Sequence, residues 1–153
     1  MLVKTALAMV LLSGAEATPY KSGHVKTNET FKFGKFKARI KSANKKGTVT
    51  SFFTFWEGQP RVPGWNEIDV ELVPSITDHS FSTNIISKNQ SNHQEYISDF
   101  VLDTEWHDYA IEWTPEYISW FVDGKQARRV EGTPENAFLN KEQSLMMSLW
   151  TPT

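Results

Sequence analysis

The chain has 153 residues, 39% of them hydrophobic and 22% charged, which is a single-domain length with the make-up of a folded globular protein. A formal net charge of −2 offers no broad electrostatic attraction to nucleic acid. With no cysteine, a disulfide scaffold, a thiol nucleophile and a cysteine-based zinc site are all excluded.

In chain order, Met1–Ala17 comes first. Lys4 precedes the apolar run Ala6–Leu12, and Ala15-Glu16-Ala17 is an A-x-A cleavage pattern. This reads as a secretory leader, because the run is far shorter than the roughly 20 residues a membrane span needs. The expected product is secreted and free of the membrane. Asn28-Glu29-Thr30 and Asn89-Gln90-Ser91 match the N-glycosylation pattern.

Short strands and turns fill the rest, in keeping with an aromatic content of 13%. Phe31–Ser42 alternates apolar and polar residues, and Gly34 shifts the phase, which predicts one strand with a bulge. Asn44–Gly47 is a turn, Thr48–Trp56 a buried strand, and Glu57–Gly64 a loop holding two Pro and two Gly. Further strands are predicted over Glu67–Val73, Phe81–Ser87, Glu95–Phe100, Trp106–Thr114, Tyr117–Val122, Lys125–Val130 and Leu145–Trp150. Asp123-Gly124 is a hairpin signal. A short helix near Glu135–Leu139 is the one helical expectation. Strands at this spacing predict an all-β fold, an antiparallel β-sandwich or jelly roll.

The segment Trp65-Asn66-Glu67-Ile68-Asp69-Val70-Glu71 carries the chemistry. Side chains alternate along a strand, so Glu67, Asp69 and Glu71 share one face and Ile68 and Val70 the other. An exposed polar face is one reading of this row. A metal site is a second, and it fits poorly because no His lies beside the acids in the strand. The third is glycoside hydrolysis, where retaining enzymes use two carboxyl groups about 5–5.5 Å apart. A proton shared along the row would separate the pKa values and leave one Glu ionised and the other protonated.

Glu67-Ile68-Asp69-Val70-Glu71 resembles the active-site signature of glycoside hydrolase family 16, in the E-x-D-x-E form of its lichenase and transglycosylase branch. The resemblance extends, in order, to Lys35–Lys41, Thr50–Phe55, Trp106–Tyr109, Ile111–Pro115, Ile118–Gly124 and Leu145–Trp150. It implies a curved jelly roll with a concave cleft, residues 18–153 forming the catalytic domain, shortened at both ends relative to the family. The strands so absent would leave sheet edges and apolar faces open.

The implied activity is that of a secreted, monomeric, retaining endo-β-glucanase acting on β-1,3-1,4- or β-1,3-glucan, with no cofactor expected and no metal ligand assigned. Glu67 would be the nucleophile, Glu71 the acid/base, and Asp69 the residue that holds Glu67. Trp65 and Trp150 would be sugar-stacking platforms, Phe53, Phe55 and Asn84 further cleft contacts, and His93 a rim residue. Trp113 and Trp120 read as core, and Trp56 opens the loop that borders the site. His24 and Lys26 stand at sugar-contact positions where lichenases tend to have Glu and Arg, and Ser148 where they have Asn. A β-glucan-binding protein without activity, or a transglycosylase, are the alternatives. The retained glutamates favour the enzyme.

Overall fold

The computed structural model describes residues 22–56, 58, 64–74, 77–88, 90–132 and 139–151. The expected leader, most of Glu57–Gly64, Asn89 of the second glycosylation pattern, and all but the last residue of the expected helix lie outside the described residues. The described residues form eleven strands: β1 (Gly23–Phe31), β2 (Gly34–Ile40), β3 (Val49–Phe55), β4 (Asn66–Leu72), β5 (Ser80–Ser87), β6 (Gln90–Ser91), β7 (Gln94–Ile97), β8 (His107–Trp113), β9 (Tyr117–Val122), β10 (Lys125–Glu131) and β11 (Gln143–Trp150). They form two antiparallel sheets, a jelly-roll sandwich. The large sheet runs β1–β11–β3–β4–β5–β6, with β7 also paired to β5, and the small sheet runs β10–β9–β8–β2.

The period-two patterns account for the layers. Ile68, Val70 and Leu72 of β4 and Phe52 of β3 face Tyr109, Ile111 and Trp113 of β8 and Ile118 and Trp120 of β9, and all are almost fully buried in one core. Trp113 and Trp120 are therefore core residues, as expected. The hairpin between β9 and β10 turns at Asp123 and Gly124, whose φ values of 48° and 78° are those of a type I′ turn.

Three expectations are corrected. Phe31–Ser42 is not one bulged strand. The chain leaves the large sheet after Phe31 and enters the small sheet at Gly34, turning through positive φ at Phe33 (70°) and Gly34 (139°). The phase shift at Gly34 marks a change of sheet, which alternation alone does not distinguish from a bulge. The strand expected over Glu95–Phe100 stops at Ile97, because the Ser98 hydroxyl and His79 Nδ1 both bond the Phe100 carbonyl and turn the chain out of the ladder. Finally, β1 carries few apolar residues and was not expected as a strand. It is held as the edge of the large sheet by its ladder with β11. On the inner side of that edge Val25 and Leu149 remain exposed.

Candidate active site

Strand β4 sits in the middle of the large sheet, so its outer face is flanked on both sides. Phe55 lies opposite Glu67, Phe53 opposite Asp69 and Ser51 opposite Glu71 on β3. On β5, Ile86, Asn84 and Ser82 take the same three positions. Following the register outward, the Asp69 row continues through Phe53 to Met146 and Lys26, and the Glu71 row through Ser51 to Ser148 and His24. All three acids thus share the outer face with Phe53, Phe55, Asn84, His24 and Lys26. Phe53 and Phe55 are half-buried and point away from the core. Lys26 also helps line a hollow of about 410 Å³ with Asn28, Thr30, Trp56 and Glu142.

Both tryptophans named with the acids reach this face. The Trp65 indole donates from Nε1 to Glu67 Oε2 at 2.7 Å. Trp150, at the end of β11, donates from Nε1 to Ser51 Oγ at 3.1 Å, and that hydroxyl pairs with Ser148 Oγ at 2.8 Å. Asn84 accepts from the Ser91 hydroxyl at 2.9 Å and hydrogen-bonds Asp69. His93 is exposed in the connection between β6 and β7.

Burial dominates the electrostatics of the row. Desolvation lifts the Glu67 carboxyl above its ordinary range, against hydrogen bonds from Asp69 and Trp65 that favour its charged form. Asp69 is lifted furthest, by burial, by the charges of Glu67 and Glu71, and by its hydrogen bond to Glu67. Of the two, Asp69 is pushed further toward its protonated form, in which it donates to Glu67. Glu71 is raised by burial and lowered in part by the nearby His93. The row can thus hold a carboxylate at Glu67 beside a protonated acid.

Asn66 was not anticipated. Buried between Trp65 and Glu67, it donates from Nδ2 to the carbonyls of Gly64 (3.1 Å) and Trp65 (2.8 Å). Its Oδ1 accepts from the backbone N–H groups of Asn140 (3.0 Å) and Lys141 (3.2 Å). One amide thereby ties the segment carrying Trp65 to the chain entering β11, and the Lys141 ammonium lies 5.5 Å over the Trp56 ring. The partners are 74 and 75 residues away, so no local pattern could reveal them. Ser51 and Met146 also went unnamed. Period two from Phe53 reaches Ser51, but Met146 joins the row only through the register with β11. Among the described residues no group of three or more metal-ligating side chains occurs.

The sequence profile of Glycosyl hydrolases family 16 matches residues 4–153, a span that takes in most of the segment read as a leader. The chain is 32% identical to a beta-glucanase of Fibrobacter succinogenes over 97% of its own length and 45% of that protein. It is 30% identical to a beta-glucanase of Bacillus subtilis over 88% and 53%. It spans about half the length of these curated relatives. Among solved structures, the Bacillus licheniformis beta-glucanase superposes with a TM-score of 0.75 at 25% identity, covering 85% of this chain and 58% of that one. A beta-1,3-1,4-glucanase (lichenase) from a mouse hindgut metagenome gives 0.72 at 28%, covering 84% and 57%. With a profile match over almost the whole chain and the same sandwich in its relatives, the protein belongs to glycosyl hydrolase family 16.

Proposed function

We propose that the chain acts as a retaining endo-β-glucanase that cuts β-1,3-1,4- or β-1,3-glucan. One observation carries the reading: three carboxyl groups share one outer strand face, with Glu67 held by an indole N–H and Asp69 beside it pushed furthest toward its protonated form. Glu67, ionised, attacks the anomeric carbon. Glu71, pushed by burial toward its protonated form, gives its proton to the departing glycosidic oxygen, and the C–O bond breaks as the ester to Glu67 forms. Glu71, now a carboxylate, takes a proton from water, and the water oxygen displaces Glu67 to release the sugar with its original configuration. Asp69 donates to the Glu67 oxygen in both steps and keeps a second negative charge out of the row. Trp65 and Trp150 stack against sugar rings, with Phe53 and Phe55 beneath the chain, and Asn84, His24 and Lys26 meet hydroxyl groups.

The relatives named as beta-glucanases and the lichenase structure support the choice of substrate. The test is reducing-sugar release from barley β-glucan and from laminarin by the purified chain beside Glu67→Gln. The expected result is activity on at least one polymer, lowered by at least about 10³-fold in the variant, since loss of the nucleophile removes the covalent route. A folded wild-type chain that binds the glucan without cutting it would overturn the enzyme reading and leave a binding protein.

A further inference from the structure

Arg128 is a buried cation in the sandwich, and among the described residues its hydrogen bonds go to no carboxylate. Taking a guanidinium out of water is costly, and an apolar side chain of similar size generally serves stability as well. Its place is also specially made. The ladder between β10 and β9 slips between Gln126 and Arg128. Regular pairing onward from Gln126↔Phe121 would set Ala127 opposite Trp120 and turn Arg128 outward. The irregularity sets Arg128 opposite Trp120 instead, on the inner face, as bulges commonly re-aim a side chain.

From there Arg128 spans the two sheets. Its guanidinium lies 4.9 Å from the Trp120 ring. Nη1 donates to Thr83 O (3.2 Å), Thr83 Oγ1 (2.9 Å) and Asn92 O (3.0 Å), and Nη2 donates to Asn92 Oδ1 (2.7 Å). Each residue it holds is followed by one that reaches the acids: Asn84 hydrogen-bonds Asp69, and His93 acts on Glu71. Trp120 completes the set by donating from Nε1 to the backbone carbonyl of Asp69 itself at 2.9 Å.

We propose that Arg128, stacked on Trp120, is a positioning residue for the carboxylate row, reaching through the sandwich to Thr83 and Asn92, and so setting Asn84 against Asp69 and fixing the segment that carries His93. Its catalytic consequence rests on the glycosidase reading given above. Around Glu71 the other groups are Asp69 and Glu67 on β4, Ser51 on β3, and Ser82 on β5 with Glu95 beyond it on β7. Ser148 and then His24 lie further along the row. His93 is the group whose charge favours the ionised form of Glu71, so letting it drift moves the loss of activity with rising pH to higher pH.

The test measures kcat, KM and the pH profile on barley β-glucan for wild type, Arg128→Met, Arg128→Lys and the surface variant Asn92→Ala. Arg128→Met is expected to lower kcat about 10–100-fold with KM within about threefold, as displacements of order 1 Å do. Its alkaline limb moves to higher pH, and Arg128→Lys recovers part of both effects. Asn92→Ala lowers kcat a few-fold with the same direction of shift, and it decides the matter if Arg128→Met does not fold. Folded variants with wild-type kcat and pH profile would overturn the positioning role and leave the glycosidase reading intact. Should folded wild type prove inactive, the glycosidase reading fails instead. Carboxylate titration by ¹³C NMR then decides positioning, since unchanged Asp69 and Glu71 titrations in Asn92→Ala would overturn it.

Discussion

The two faces of β4 carry opposite assignments on seven consecutive residues. Inward, Ile68, Val70 and Leu72 are 0%, 2% and 0% exposed, and each contributes about 1.5–3 kcal/mol through removal from water. Outward, Glu67, Asp69 and Glu71 are all desolvated, and all three carboxyl groups are pushed toward protonation. The inner face supplies stability and the outer face consumes part of it. A strand can tolerate three crowded acids in mid-sheet because its other side is locked into the core and both of its edges are paired.

The largest effect comes from breaking the inner face. Ile68→Ala leaves a hole beneath the acids, in a core where the side chain has no exposure. A loss of about 3–4 kcal/mol is expected, measured by urea unfolding. A loss under about 1 kcal/mol would mean that the two sheets do not pack on this strand as described.

The outer face is probed by pH. The elevated carboxyl of Asp69 means that the folded state holds its proton more tightly than the unfolded chain does. The sign follows: this contribution to stability is fully present below the ordinary carboxyl value of 3.8 and is lost as pH rises toward the folded value. Asp69→Asn keeps a donor facing Glu67 and removes the titration. Unfolding free energies of the two proteins should therefore diverge as pH rises from about 4, with the wild type falling relative to the variant. Parallel curves across the range would show that Asp69 titrates normally.

This contrast explains what was legible in the sequence. Alternation in Glu67–Glu71 placed the acids on one face and the aliphatics on the other, and Tyr109, Ile111 and Trp113 declared the core in the same way. Hydrophobic burial has a period, and the period is written locally. Register is not. The rows that bring Lys26 to Asp69 and His24 to Glu71 depend on β1 pairing with β11, more than 100 residues away in sequence. Asn66 stands in the sequence between a tryptophan and an acid, and nothing local shows that its side-chain oxygen accepts from a distant segment. Arg128 belongs to a basic pair with Arg129, and the slip in β10 decides which of the two turns inward. Arg128 turns inward, whereas Arg129 turns out to meet Glu131 and Tyr117.

The smallest expected effect tests how far the outer face depends on such register. Ser51 is buried opposite Glu71, and its hydroxyl both pairs with Ser148 and receives the Trp150 indole N–H. Ser51→Ala removes that junction without opening a large cavity, at a cost of about 1 kcal/mol for the hydrogen bonds lost. The acids do not touch Ser51 through a hydrogen bond, so kcat should stay within about twofold. The freed Trp150 ring loses its fixed orientation and stacks less well on a sugar, which raises KM about two- to fivefold, in line with the modest worth of one aromatic contact. A fall in kcat with KM unchanged would place Ser51 with Glu71 in the chemical step and take Trp150 out of substrate binding.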